Sequence, residues 1–361
     1  MSEFEPLRVA IVGCGNISGA YGNSLKTKPE LIKIVGAFDV ITDQAKNFVN
    51  NYGGKIYEKF EDVIADPEVE AIINLTSHHA HAEVSSKAIL AGKHVHSEKP
   101  LATNREDGKK LLKLAEENNV RLSCSPFTFL GEAQQTARKA IHDEIIGKPL
   151  IAYAEMNWSW IEKWHPNPEG FHQSGAGPML DVGVYPLSIL TAILGPAEEA
   201  LGYAEILMPE RTIGSGPKAG NKYKVTTPDQ VIGILTFTSG CRVRITTNFF
   251  GYSKQGGIEF HGENGSLILD SAVDFKSGIS VRNMEDNDWK PAPYVLEPFE
   301  GVEWGRAMFE LAESIRKGTP QRCTGQQAYH VLDICLSILD SAEKGCAVPI
   351  ESTFTPPPPR Y

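Results

Sequence analysis

Cysteine is scarce: six residues in 361, at positions 14, 124, 241, 323, 335 and 346. None stands in a Cys-x-x-Cys pair, and their spread along the chain fits buried reduced thiols rather than a metal or redox centre. Positive charge is also short, with 35 Lys+Arg against 45 Asp+Glu for a formal net charge of −10. Only scattered basic pairs such as Lys109–Lys110 occur, which argues against nucleic acid or an anionic membrane surface as partner. No uninterrupted apolar run is long enough to cross a bilayer. The opening "MSEFEPLRV" lacks the basic start and apolar run of a signal peptide, so a cytoplasmic protein is expected. No internal repeat is present. The rest is ordinary globular composition, 41% hydrophobic and 22% charged, at a length that suggests two domains.

The first third of the chain alternates. "RVAIV", "IKIVGAF", "AIINLT", "HVHSE" and "RLSCS" read as buried strands. Between them "ISGAYGNSLKT", "ITDQAKNFVNNY", "HAEVSSKAILAG" and "REDGKKLLKLAEENN" read as helices, the last with Thr103 or Asn104 as N-cap. Strands separated by helices at this spacing predict a parallel sheet covered on both faces. After about residue 126 the pattern changes. One helix, "GEAQQTARKAIHDEIIG", precedes β-rich runs that predict an open, mostly antiparallel sheet. Helices around "MLDVGVYPLSILTAIL" and "VEWGRAMFELAESIRKG" interrupt it. The expected division is 1–125 and 126–324, then a helix over 325–344 that packs back on the first domain. A C-terminal strand and proline-rich tail follow over 345–361.

"RVAIVGCGNIS" places Gly13 and Gly15 after the first strand and before the first helix. Gly13 permits a tight turn and Gly15 lets backbone approach a pyrophosphate. Asn16 and Ile17 complete the turn at the helix N-terminus, where free N–H groups carry partial positive charge. Ser18 replaces the usual third glycine. A lone G-x-G is a weak signal, but this one lies in the first strand–turn–helix. The second strand ends at Asp39, where an acidic residue binds adenosine ribose hydroxyls; its alternative role is to start the next helix. "VITD" follows with no arginine to balance a 2′-phosphate, so NAD is expected and NADP less so.

Glu98–Lys99–Pro100 follows a buried strand at the sheet's carboxyl edge. A lysine there can stabilise a developing alkoxide and lower a neighbouring hydroxyl's pKa. In the second half Asp181 and Tyr185 stand four apart, which on a helix puts both on one face. A carboxylate to anchor hydroxyls and a phenol to relay a proton suit a carbohydrate. The loop "NWSWIEKWHPNPEGFHQSG" is unusually aromatic. Trp158, Trp160, Trp164 and Phe171 could stack on a sugar ring or pack under the sheet. His165, Asn167 and His172 could hydrogen-bond its hydroxyls. No acidic or cysteine partner sits at ligand spacing, so no metal is expected.

Together, "GCGNIS", "TSHHAHAEVSSKAILAGKHVHSEKPLA" and "GAGPMLDVGVYPL" resemble the glucose–fructose oxidoreductase/inositol dehydrogenase family, Gfo/Idh/MocA, over nearly the whole chain. The resemblance implies an α/β chain. An N-terminal Rossmann dinucleotide-binding domain is joined to a C-terminal α+β domain with a large open, mostly antiparallel sheet. It implies NAD(P) and hydride transfer at a carbinol. Lys99 matches the family's catalytic lysine and Asp181 its second-domain aspartate. Tyr185 takes the acid/base position, histidine in many members. His81 matches the histidine after the fourth strand. Thr76, Ser77 and His78 match a "T-P-N" cofactor loop with two replacements, and Glu98 joins the cofactor set. "CSPFTFLGEAQ" lacks the arginine many members carry there, so that arginine's role is not transferred. Members pair through the outer face of the second sheet, so a homodimer or homotetramer is implied. The resulting expectation is an NAD(P)-dependent sugar oxidoreductase taking a small carbohydrate. Two alternatives keep the same motifs: redox-neutral glycoside cleavage through a 3-keto intermediate, and a dinucleotide-sensing protein without turnover.

Overall fold

The computed structural model describes residues 5–361, and the chain divides into two compact units. Unit 1 comprises residues 5–127 and Glu303–Tyr329; unit 2 comprises Thr128–Val302 and His330–Tyr361.

Unit 1 alternates strands and helices as the apolar runs require. Its elements are β1 (Leu7–Val12), α1 (Ser18–Leu25), β2 (Ile32–Phe38), α2 (Thr42–Tyr52), β3 (Lys55–Ile56) and α3 (Phe60–Ala65). They continue as β4 (Ala71–Asn74), α4 (His81–Leu90), β5 (His94–Ser97), α5 (Arg105–Glu117) and β6 (Leu122–Cys124). The strands form one sheet in the order β3-β2-β1-β4-β5-β6, every pair parallel. β4 is buried throughout, as a strand covered on both faces must be. Strand order reverses between β1 and β4, and the crevice beyond the strands' carboxyl ends at such a point is where ligands bind. Asn104 caps α5, its side-chain oxygen accepting from Asp107 N at 2.8 Å. β3 and α3 are too short to show in the apolar pattern.

Helix Arg306–Lys317, expected with the second domain, groups with unit 1. Its Arg316 pairs both Nη atoms with Glu70, at 2.9 and 2.7 Å.

Unit 2 opens with α6 (Glu132–His142), β7 (Pro149–Asn157) and the single-turn α7 (Ile161–Trp164). A π-helical turn, Met179–Gly183, leads into α8 (Val184–Leu194). Then follow β8 (Ala197–Glu205), β9 (Glu210–Thr212), β10 (Lys222–Lys224), β11 (Gln230–Phe237) and β12 (Arg242–Asn248). β13 (Gly257–Gly262), β14 (Gly265–Leu269), β15 (Ile279–Asn283) and β16 (Lys290–Pro291) complete the run, and β17 (Val348–Pro349) returns near the C-terminus. Nine strands make one sheet, β16-β15-β14-β13-β7-β12-β11-β8-β17, antiparallel except for β7 with β12. β9 and β10 form a separate hairpin.

The helix Gly325–Lys344 is divided: 325–329 belong to unit 1 and the remainder to unit 2. Within unit 2 it meets a pair of facing glycines, Gly202 and Gly233, on β8 and β11. A Cβ on Gly202 would lie 2.0 Å from Ile338 O, so side-chain-free backbone there admits the helix. The proline-rich tail is tied to α6: Arg138 Nη2 donates to Pro357 O at 2.5 Å and Arg360 Nη1 to Glu132 Oε1 at 3.0 Å.

Candidate functional site

The glycine turn is shaped by contact. Gly13 has φ +92°, and a Cβ there would lie 2.6–2.7 Å from the backbone of Leu75 and Thr76. Gly15 is open: its nearest neighbour to a Cβ would be Gln44 Oε1 at 3.9 Å. Ser18 is buried and its hydroxyl donates to Gly15 O at 2.8 Å, which ties the turn to α1. Asn16 is exposed and Ile17 is the residue before the helix. A dinucleotide's pyrophosphate fits this turn, which leaves backbone uncovered at a helix N-terminus.

Asp39 closes on the same turn. Its Oδ2 accepts from Cys14 N at 2.6 Å and its Oδ1 from Ile41 N at 2.7 Å. Each oxygen keeps a lone pair for a ribose hydroxyl. Asp39 also sits two residues before Ile41, the N-cap residue of α2. Burial, then the Asp39 charge, pushes the Cys14 thiol up to about 12. It remains a thiol and no nucleophile.

The loop after β4 is braced internally. Thr76 Oγ1 donates to Asn74 Oδ1 at 2.7 Å, and Asn74 Nδ2 donates to His81 O and Ser85 Oγ at 3.1 and 3.0 Å. His81 is fully buried, with Nδ1 2.8 Å from Pro100 O and Nε2 3.0 Å from Thr76 O. It spans from the Thr76 loop to the Glu98–Lys99–Pro100 turn. Burial lowers its pKa, against the two carbonyls, which raise it. Ser77 is exposed, and half-buried His78 lies 4.0 Å from the His79 ring.

Glu98 is buried and Lys99 half-buried, just beyond the carboxyl end of β5. Lys99 N donates to Glu98 Oε2 at 3.1 Å, and the Lys99–Pro100 bond is cis. The structure thus gathers Gly13, Gly15, Asp39, Thr76, His81, Glu98 and Lys99 at one edge of the parallel sheet.

In unit 2 Asp181 lies in the π-helical turn, its N–H bonded to Gly177 O at 3.0 Å, and buried Tyr185 lies in α8. The pair therefore straddles a widened turn, not the uniform α-helix the spacing suggested. Gly177 has φ +90°, a conformation L side chains rarely adopt, and Thr227 and Pro228 lie about 3.1 Å from a Cβ position. The aromatic loop is a chain of edge contacts: Trp158–Trp164 at 5.6 Å, Trp164–His165 at 5.7 Å and His165–Phe171 at 5.0 Å. Trp164 is exposed, as is Asn167, while Trp158 and Phe171 rest on a core of Ile161, Val182 and Phe249. Burial lowers the His165 pKa, partly offset by the nearby Asp181 charge.

His172, expected to reach a sugar hydroxyl, is fully buried, with Nδ1 3.2 Å from Pro168 O and 3.3 Å from Tyr223 Oη. Its neighbours are the β9–β10 hairpin and Phe249, so tertiary packing has taken the ring inside.

Sequence reasoning missed a buried ion cluster beneath this loop. Arg211 of β9 donates from Nη1 to Glu162 Oε1 at 3.0 Å and from Nη2 to Asp229 Oδ2 at 2.8 Å. Nη1 also lies 3.2 Å from Phe249 O. An isolated arginine on a short polar hairpin carries no signal of such burial.

Fold and glycine turn define an NAD-binding oxidoreductase of the Rossmann type. Residues 7–125 match the description "Oxidoreductase family, NAD-binding Rossmann fold", and residues 134–268 match "GFO/IDH/MocA C-terminal domain". The chain belongs to the Gfo/Idh/MocA family. It is 29% identical over 305 residues to the 1,5-anhydro-D-fructose reductase of Ensifer adhaerens, covering 83% of this chain and 85% of that protein. It is 25% identical over 350 residues to inositol 2-dehydrogenase 3 of Saccharopolyspora erythraea, covering 95% of each. The fold matches that of levoglucosan dehydrogenase in complex with NADH and levoglucosan, with a TM-score of 0.83 at 20% identity over 96% of this chain and 100% of that one.

Proposed function

We propose that the protein transfers hydride between a carbinol of a sugar or cyclitol and the nicotinamide of NAD. The observation that carries this is Lys99, a cation held at the carboxyl edge of the parallel sheet by its own N–H on buried Glu98. NAD, when bound, supplies the hydride acceptor. The Gly13–Ile17 turn would hold its pyrophosphate and Asp39 its adenosine ribose. A 2′-phosphate would meet the Asp39 carboxylate, and the next two residues, exposed Val40 and Ile41, carry no charge to offset it, which favours NAD over NADP. Lys99 would stabilise the alkoxide as the carbinol hydroxyl loses its proton, and Tyr185, as its phenolate, would accept that proton. Asp181 and the Trp158–His165 loop would orient the ring. Printed names among the relatives, a reductase of an anhydro-sugar and an inositol dehydrogenase, support this substrate class.

The outer face of the nine-stranded sheet supports self-association. Leu201, Tyr203 and Ile234 are exposed on it, Leu201 directly opposite Ile234, and Arg244 packs 4.8 Å from the Tyr153 ring. We take this face as a homodimer or homotetramer surface. All six cysteines are free, which suits a reducing cytoplasm.

The test is a panel of aldoses, myo-inositol and levoglucosan with NAD and with NADP, read by absorbance of the reduced cofactor. Turnover with NAD on at least one sugar is expected. Lys99→Ala should cost about 10³-fold in kcat with NADH affinity retained. Near-normal turnover of that variant would defeat the assignment.

A further inference from the structure

Glu98 is held by groups that no motif predicts. Its Oε1 receives the Tyr21 hydroxyl at 2.6 Å and the Ser125 hydroxyl at 3.1 Å. Its Oε2 receives Lys99 N. Tyr21 is fully buried on α1, one turn after Ser18, with the Trp304 ring 5.9 Å away. The helix that begins at the phosphate-binding turn therefore also carries the hydroxyl that grips the lysine turn.

Hydrogen accounting orders this network. The phenol has one proton, and the shortest of its contacts directs it to the carboxylate. The Tyr21 oxygen then accepts from His96 Nε2 at 3.3 Å, and His96 Nδ1 accepts from Ser123 Oγ at 2.9 Å. Burial holds His96 down at about 4, so at neutral pH its ring carries a single proton, and this order is the one in which that proton sits on Nε2. Glu98 is thus fixed by neutral donors, and none of the hydrogen bonds at its carboxylate cancels its charge.

We propose that Tyr21 and Ser125 are positioning residues for hydride transfer: their hydroxyls aim the Glu98 carboxylate at the Lys99 N–H, and so set the origin from which the Lys99 side chain reaches. The inference rests on Lys99 being the catalytic cation. Neither hydroxyl touches substrate in this account. Removing one frees the carboxylate to rotate, and a displacement of about 1 Å at a reacting group costs about 10²-fold in rate.

The test compares wild type, Tyr21→Phe and Ser125→Ala in the reductive direction. The substrate is the carbonyl product of the best panel sugar, and NADH is used with and without deuterium at nicotinamide C4. For Tyr21→Phe, kcat should fall about 10- to 100-fold, while NADH affinity by fluorescence titration stays within about threefold. The isotope effect on kcat should rise, because hydride transfer becomes slower relative to product release. Loss of folded protein alone lowers kcat and leaves the isotope effect unchanged, and that result overturns the proposal. Unchanged kcat overturns it too. Should Tyr21→Phe not fold, Ser125→Ala is judged by the same criteria. An active wild type matched by both variants defeats this inference alone. A wild type without turnover on any sugar defeats the hydride-transfer reading and the inference with it.

Discussion

Two buried carboxylate sites, Glu98 in unit 1 and the Glu162–Asp229 pair in unit 2, differ in whether a cation holds them. In unit 1 Glu98 is satisfied by two hydroxyls and a backbone N–H, all neutral. In unit 2 Glu162 Oε1 and Asp229 Oδ2 pair with the guanidinium of Arg211, whose side chain is wholly buried, and Asp229 also accepts from Leu207 N and Met208 N. A carboxylate held by neutral donors keeps its charge available to its surroundings. One held by a guanidinium is neutralised on the spot and serves to join chain segments. Arg211 joins three of them: the aromatic loop through Glu162, the end of β12 through Phe249 O, and the approach to β11 through Asp229. The first cluster therefore suits chemistry and the second suits holding a loop.

The sharpest way to break this comparison is Arg211→Met, which leaves two buried carboxylates without their cation. Urea unfolding should show a loss of about 3–5 kcal/mol. A change within about 0.5 kcal/mol would mean the cluster is no structural pin.

Next in size is a pH effect shared by the two units. His96 in unit 1 and His330 in unit 2 are both lowered to about 4, in each case chiefly by burial. An unfolded histidine titrates near 6.5. The unfolded chain therefore binds more protons between these values. The stability these neutral rings contribute is complete above about pH 6.5 and is lost as pH falls toward 4. Urea midpoints should drop between pH 7 and pH 5 as the unfolding free energy falls, by about a few kcal/mol in all at the low end of the window. Midpoints that stay level or rise over that interval would contradict the burial seen for both rings.

The smallest expected effect is Asp39→Ala. Losing the ribose-facing carboxylate should weaken NAD binding about tenfold and shift preference toward NADP. Isothermal titration with both cofactors measures it. Equal NAD affinity in the variant would leave Asp39 with only its bonds to Cys14 N and Ile41 N.

Much of this was legible in the chain. The alternation that places β1, β2, β4, β5 and β6 in a parallel sheet follows from apolar runs separated by amphipathic spacing. Gly13 was legible as a turn residue from its place between the first strand and the first helix, and its φ of +92° beside the Leu75 backbone shows why glycine stands there. The large open sheet could be read from consecutive β-rich runs. By contrast, the partner of Glu98 lies 77 positions away on α1, and the bond between Arg211 and Glu162 spans 49 positions. Neither pair leaves a periodic trace. His172 was read as a hydrogen-bond partner for a sugar hydroxyl from its place in the aromatic loop, but the β9–β10 hairpin covers it. The widened turn under Asp181 has no composition cue either, since α and π turns draw on the same residues.

The sequence by itself determined which segments are strands and helices, where the glycine turn falls, and that a lysine follows the fourth long strand. Those outcomes depend on local preferences and on burial period, both of which act over neighbouring residues. Only tertiary structure decided that a tyrosine from the first helix grips Glu98, and that an arginine from a small hairpin underpins the aromatic loop. It alone decided, too, how the helix Gly325–Lys344 is divided. Such pairings form wherever folding brings a buried polar group to its one available partner, and distance along the chain does not enter that choice.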